Sequence, residues 1–477
     1  MRKKLMLLAV MAILPLAVSA ESRQNGDGAV KEEMKNHFKL YGFVRNFFVF
    51  DTRESNAGTG DLFYYVPKDV AMNEDGSQDL NQQSSFRFLA LTSRVGLDVY
   101  GYQIGRTMFG AKIETDFYAG LTGSPKINGT AQLRLRQAYM TIGWNDLKMG
   151  QENTASVNLK LGQAWHPMAV DQPHVLALET GTPFNPFSRT PQVLMDASLG
   201  DHFTVSGAAI WQMQYLSTGP GGASAEYIKY GCTPEAYIGL TYKTAGGFLA
   251  KAGLDILSIK PRRTGVNSDG VTVKVSDRIT TMSYYLYLQY RKGKFEAKAK
   301  SVLSEGGEHM NLMSGYGVSW SGPDRNLYHD GHWEYVPLYA SSTWASVSYG
   351  KKWQVMLMGG YIKNLGTRNP LYGNTASFVT DRHDSKGGLT DASHVYFSGN
   401  GSSNLNEIWR LVPTVAYNMG KFTIALEWNI TSARYGDYVV FDDEPGTKYV
   451  YAATGLATDN LHWVTNHRIQ MMMRFTF

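Results

Sequence analysis

The chain has 477 residues and a single cysteine, Cys232, so no intramolecular disulfide can brace it. Its formal charge of +5 falls to +2 once the three basic residues of positions 1–20 are set aside, and no nucleic-acid partner is expected from so small an excess. Mean hydropathy is −0.27, and beyond residue 20 no run approaches 18 consecutive apolar residues, which excludes spanning helices.

Arg2, Lys3 and Lys4 precede an apolar run from Leu5 to Val18 that closes on Val18-Ser19-Ala20. A charged start, a short apolar core and small residues read as a secretory signal peptide, residues 1–20, cleaved after Ala20. Residues 21–37 are mostly small, polar or charged and read as a flexible periplasmic tail.

From residue 38 the pattern changes to period two. Leu40, Gly42, Val44, Phe48 and Phe50 alternate with Arg45 and Asp51, one face suited to lipid and the other to water. The alternation recurs at 40–51, 86–100, 107–118, 132–143, 157–165, 191–199, 203–214, 235–243, 248–260, 277–291, 294–303, 342–350, 353–363, 408–418, 421–431 and 466–477. Each is long enough for a tilted strand to cross a bilayer. With 49 glycines, 29 tyrosines, 21 phenylalanines and 10 tryptophans, the composition suits many strands with tight turns and aromatic girdles. Trp144, Trp211, Trp344, Trp353, Trp409 and Trp428 are expected in those girdles.

The connections alternate too. Short links such as Lys292-Gly293, Lys351-Lys352 and Met419-Gly420 are separated by long links at 52–85, 166–190, 215–234, 304–341, 364–407 and 432–465. An all-β, up-and-down antiparallel transmembrane barrel of sixteen strands over residues 38–477, with short periplasmic turns and long extracellular loops, accounts for this. The fifth strand is ambiguous. Leu147-Lys148-Met149-Gly150-Gln151 and Leu159-Lys160-Leu161-Gly162-Gln163 are alike, and the second is preferred because 157–165 is long enough to cross. Strand 342–350 offers no clean apolar face. The last segment alternates most clearly and ends in Phe475-Thr476-Phe477, which resembles the signal that outer-membrane proteins present to the barrel-assembly machinery.

Placing each apolar face in lipid turns the charges inward. The early strands then contribute Arg45, Arg94, Lys112, Arg134 and Arg136 with Glu114 and Asp116. An interior so charged requires water or a plug, and no plug-sized domain is present, so a water-filled channel follows. The link Trp165 to Arg189, stiffened by Pro167, Pro173 and Pro183, is expected to fold inward as a constriction. Arg189 would join the arginines in a basic wall favouring anionic solutes. The alternative is that these arginines pair with Asp98, Glu114 and Asp116 as structural ion pairs. His166 and His174 lie in the same link without a spaced third ligand, so no metal is expected, nor any cofactor or catalytic set.

An ordered set of motifs carries a family resemblance. Leu40-Tyr41-Gly42-Phe43-Val44-Arg45, Ser93-Arg94-Val95-Gly96-Leu97, Gly110-Ala111-Lys112-Ile113-Glu114-Thr115-Asp116-Phe117, Leu133-Arg134-Leu135-Arg136-Gln137-Ala138-Tyr139, Gly162-Gln163-Ala164-Trp165-His166-Pro167 and Arg189-Thr190-Pro191-Gln192 resemble the DcaP-like porins over roughly residues 40–195. The resemblance implies a homotrimeric outer-membrane porin for small hydrophilic, often anionic, solutes, with the loop after Trp165 narrowing the pore. It gives Arg45, Arg94, Arg134, Arg136 and Arg189 lumenal roles. The tail is too short for the helical extension of some members, so any trimer must form through the barrel walls. The competing expectation is an adhesin or glycan-binding surface barrel without channel activity.

Overall fold

The computed structural model describes residues 37–58, 63–90, 92–118, 132–149, 153–176, 180–319, 330–371, 395–397, 404–437, 440–442, 450–452 and 455–477. The expected signal peptide, and all but the last residue of the expected tail, lie outside these residues.

Sixteen strands form the wall. They are β1 (Phe38–Asp51), β2 (Arg94–Ile104), β3 (Thr107–Tyr118), β4 (Gln132–Met149), β5 (Asn153–Trp165), β6 (Arg189–Leu199), β7 (Phe203–Ile210) and β8 (Glu235–Lys243), followed by β9 (Phe248–Ile259), β10 (Ile279–Lys292), β11 (Phe295–Glu305), β12 (Tyr335–Gly350), β13 (Trp353–Gly366), β14 (Leu405–Met419), β15 (Phe422–Asp437) and β16 (Asp459–Thr476). Each pairs antiparallel with its chain neighbour, and β1 pairs with β16 from Phe43↔Thr476 to Asp51↔Arg468, so the sheet closes on itself. No exposed sheet edge is left along that seam, as hydrocarbon requires.

Burial follows the period-two pattern. Leu40, Val44, Phe86, Leu133, Ile238, Leu286, Leu357, Leu411, Leu426 and Ile469 are exposed on the outside. So broad an apolar surface belongs in a bilayer, not in water. The inward face carries the polar set: Asp51 takes both Nε and a terminal nitrogen of Arg468 at 2.9 Å, and Arg87 at 2.8 Å. Asp51 and Arg468 face each other across the closing seam, so the ladder and a buried ion pair hold the same joint.

Four expectations change in detail. Residues 86–100 are two segments, because Ser85–Leu89 and then β2 pair in turn with β1, with a break between them. Thr92 at that break has φ +69°, a conformation a β-branched residue adopts only when its surroundings hold it there. The two similar runs near 150 are not alternatives: Leu147–Met149 ends β4 and pairs with the start of β5 beyond a bulge, so the hairpin overhangs the short-turn side. The seventh strand stops at Ile210, short of the expected 214. Trp344 is not a girdle residue; it faces inward and is 1% exposed, while Trp353, Trp409 and Trp428 face out. Strand β12 looked irregular because Trp344 lies on the lumen side and its outward row mixes Ser341, Thr343 and Ala345 with Val347 and Tyr349.

The chain terminus completes the seam. Phe477 exchanges backbone hydrogen bonds with Gly42 at 3.0 and 3.3 Å, and its ring lies over that glycine. A Cβ at Gly42 would meet the Arg94 carbonyl at 2.4 Å and the Phe477 ring at 2.5 Å. Gly42→Val is therefore expected to cost about 1–3 kcal/mol through overpacking, lowering the urea midpoint of the folded barrel, whereas Val44→Ile on the same outward face should leave it unchanged; cold and heated SDS gel mobility across a urea series reads both.

Candidate functional site

The lumen is not simply open. Loop 166–188 leaves the end of β5, crosses the interior and docks on the far wall. Of its described residues, 166–176 and 180–188, Pro167, Met168, Phe184, Asn185 and Phe187 are buried. The far wall supplies the partners. Ser342 Oγ donates to the Phe184 carbonyl at 2.6 Å, Trp344 Nε1 donates to Asn185 Oδ1 at 3.1 Å, and Lys300 Nζ reaches the same oxygen at 3.3 Å and the Met168 carbonyl. Arg410 donates to the Thr182 carbonyl at 2.9 Å, the Leu176 amide donates to Glu427 at 2.6 Å, and Lys251 pairs with Asp171 at 2.7 Å.

Two other loops pack on it. Phe63 and Tyr65, from the short hairpin after β1, and Met310, Leu312 and Met313, after β11, join Met168, Phe184 and Phe187 in one apolar cluster against Tyr285, Tyr287 and Trp344 of the wall. Phe63 meets Phe187 edge-on at 5.4 Å. The link 166–188 folds into the lumen and two further loops join it there, because apolar loop residues bury against inward aromatics.

What remains is a cavity of about 210 Å³ between the loop and the β1–β5 wall. Arg45, Arg94, Arg134 and Arg136 line it, with Asp116 the carboxylate among its lining side chains. The loop side offers Gln172, Val175, Leu176 and Phe187, with Phe63 from the first loop and Gln214 and Tyr215 from the segment after β7. Four guanidiniums against one carboxylate leave the wall positive.

Ion pairs with the acidic residues hold some of these arginines and not others. Arg134 bonds Asp116 through two nitrogens at 2.9 Å, and Arg136 bridges Glu114 at 2.8 Å and Asp116 at 2.6 Å. Arg94 stands 3.5 Å from Glu114, and Lys112 pairs with Asp98 at 2.8 Å, away from the cavity lining. Arg45 differs: its Nε donates to Thr92 Oγ1 at 2.8 Å and its guanidinium lies 4.9 and 5.3 Å from the rings of Phe43 and Phe47, with no carboxylate paired to it among the described residues. The break in the second strand sets this contact by turning Thr92 inward. Arg189 opens β6 and does not line the cavity. It is 1% exposed, behind the rings of Trp165 and Phe187 at 4.9 and 5.6 Å. Phe475 and Phe477 lie on the outward face of the closing strand, half exposed.

The barrel can be set beside known structures at this point. The outer membrane channel DcaP of Acinetobacter baumannii superimposes with a TM-score of 0.56 and 16% identity, over 92% of this chain and 97% of that one. The fold is that of an outer-membrane porin. An anion-selective porin from Comamonas acidovorans and OmpT of Vibrio cholerae also align over 92% of this chain, each with a TM-score of 0.47, at 12% and 10% identity. No protein-family model and no curated protein sequence matches the chain.

Residues that sequence reasoning missed fall into two groups. Phe63 and Tyr215 come from links with no periodicity to place them, and Gln214 from the stretch beyond Ile210 that was expected to continue the seventh strand. Lys251, Lys300, Arg410 and Glu427 face the lumen on later strands, where they hold the loop.

Two outcomes follow. Asn185→Ala would leave Trp344 Nε1 and the Lys300 ammonium short of an acceptor in a buried site, a loss of about 1–3 kcal/mol; the loop should loosen, raising single-channel conductance and adding open-state noise. His174 on the loop stands 3.0 Å from Glu296 Oε2, yet burial and the Lys298 and Arg291 charges outweigh that carboxylate and lower its pKa to about 4. The ring is neutral when docked, while an undocked ring would titrate near about 6.5. Its share of loop docking is therefore complete above that value and is lost as pH falls toward 4. Recordings at pH 7 should be quiet and those at pH 4 noisy, a difference His174→Gln should reduce.

Proposed function

We propose that the chain is an outer-membrane diffusion channel for small hydrophilic anions, narrowed by loop 166–188 and walled by the arginines of β1–β4. The observation that carries this reading is the cavity between loop and wall, with four guanidiniums and one carboxylate in its lining. Positive walls bounded by a low-dielectric barrel concentrate anions and exclude cations. Arg45 carries most of the free charge in this reading, Arg94 less, and Arg134 and Arg136 mainly orient Asp116 and Glu114. Arg189 acts from behind Trp165, and Lys112 with Glu114 supports the wall below. No catalytic step is assigned. Export through a signal peptide over residues 1–20, and Phe475 and Phe477 as the residues the assembly machinery reads, belong to the same proposal.

A homotrimer formed through the barrel walls completes it. The outward row Ser341, Thr343 and Ala345 on β12, with Ser301 Oγ 2.8 Å from Thr343 Oγ1, is poorly suited to acyl chains and fits the wall of a second copy.

Reversal potential across a KCl gradient in a planar bilayer tests the channel. Wild-type protein should prefer chloride, and Arg45→Gln and Arg94→Gln should each reduce that preference severalfold without changing the folded yield. The effect should shrink at 1 M salt, where the Debye length is about 3 Å. Arg136→Gln should instead lower the yield of folded barrel, since it strips two buried carboxylates of a partner. A silent or cation-selective wild-type barrel would refute the proposal.

A further inference from the structure

Outside the arginine wall, a second group of ionisable side chains is buried where three elements meet. His166 opens the constriction loop, Glu235 opens β8, Asp255 lies on β9 beside it, and His309 sits in a 3-10 turn after β11. Each is 3% exposed or less.

Their polar atoms converge. His309 Nε2 lies 3.3 Å from Glu235 Oε1 and 4.0 Å from Asp255 Oδ2, while His166 Nε2 lies 2.6 Å from Glu235 Oε1 and 3.6 Å from Asp255 Oδ1. The hydrogen-bonding capacity is far from satisfied: Glu235 Oε2, Asp255 Oδ1 and His309 Nε2 have no hydrogen-bond partner. Glu235 has one oxygen bonded to His166 and the other without a partner, and Asp255 packs beside it with Oδ1 likewise unpartnered. Carboxylates so placed in a buried site are costly, and a cation between them removes the cost.

The geometry points to a divalent metal site, best suited to zinc, with Glu235, Asp255 and His309 as ligands. Nitrogen and oxygen ligands at 2.0–2.2 Å from a tetrahedral zinc lie about 3.3–3.6 Å from one another, and His309 Nε2 already stands 3.3 Å from Glu235 and 4.0 Å from Asp255. A mixed imidazole and carboxylate set suits zinc and its first-row neighbours better than calcium or magnesium. His166 has a different part. Its Nδ1 accepts the Met168 amide at 3.2 Å, which places the ring proton on Nε2 and makes it a donor to Glu235. It is a positioning residue that holds the carboxylate for the ion. The ion would tie the turn at 308–310 to β8 and β9, with loop 166–188 held to the same site through the His166 hydrogen bond, and none of its three ligands lines the arginine cavity.

The test needs no conductance measurement, so it stands apart from the channel proposal. The full chain is refolded into detergent with a chelator, or with ZnCl2 followed by exhaustive dialysis, and zinc is counted by inductively coupled plasma mass spectrometry. One zinc ion per wild-type chain and a higher thermal midpoint for the zinc-loaded barrel are expected. Asp255→Asn and His309→Gln should each weaken zinc retention at least tenfold and abolish the midpoint shift, while His166→Gln should weaken it less. If a variant fails to fold, the wild-type titration still decides. Wild-type barrel that retains no stoichiometric zinc overturns the inference, and so does His309→Gln protein that retains it as tightly as wild type.

Discussion

Closure of the sheet governs everything else in this molecule. In hydrocarbon a backbone amide without a partner has nothing to turn to, so β1 must find β16, residues 43–51 against residues 468–476. That single long-range pairing dictates which face of each strand meets lipid. A slip of one residue would carry Arg45, Arg94 and Arg134 outward and Leu40, Val44 and Leu133 inward. The Asp51–Arg468 pair and the ring of Phe477 over Gly42 sit at the seam where such a slip would begin.

Once closed, a wall of sixteen strands encloses more space than a selective passage needs. The surplus is taken up by loop 166–188, which divides the lumenal charges by task. Lys251, Lys300, Arg410 and Glu427 point at loop backbone and loop side chains. Arg45, Arg94, Arg134 and Arg136 face the space the loop leaves. Two sets of charges on one inward surface, identical in pattern along their strands, thus differ only in what stands opposite.

That division explains what was legible in the sequence. The strands could be found because period two and the alternation of short with long links are local properties, and lipid on one side enforces them along every strand. Arg45 and Asp51 could be turned inward by the same logic. The break at Thr92 is marked only by a change of phase, Phe86 and Phe88 facing out on one side and Val95 on the other, which a single strand drawn over 86–100 passes over. Trp344 was placed in a girdle because a tryptophan among serines carries no mark of the face it uses; Asn185, far away in the chain, provides its partner. His309 lies in the link after β11 and Glu235 at the start of β8, and they meet only because that link folds inward. The constriction loop itself was visible through its prolines, but its docking surface depends on side chains from five strands.

The setting of Arg45 has a kinetic meaning. A guanidinium held by a carboxylate is largely neutralised, and one left free in a groove would trap an anion. Arg45 rests instead on the faces of Phe43 and Phe47, whose quadrupoles fix the cation without cancelling its charge. Arg94, with Glu114 at 3.5 Å, lies on the face of the same Phe43 ring at 5.1 Å. In the proposed anion channel a carboxylate passing through would meet one whole charge and then one shared charge across a single aromatic step. Shallow neighbouring wells of this kind would keep its residence short, so that attraction and throughput rise together rather than at each other's expense.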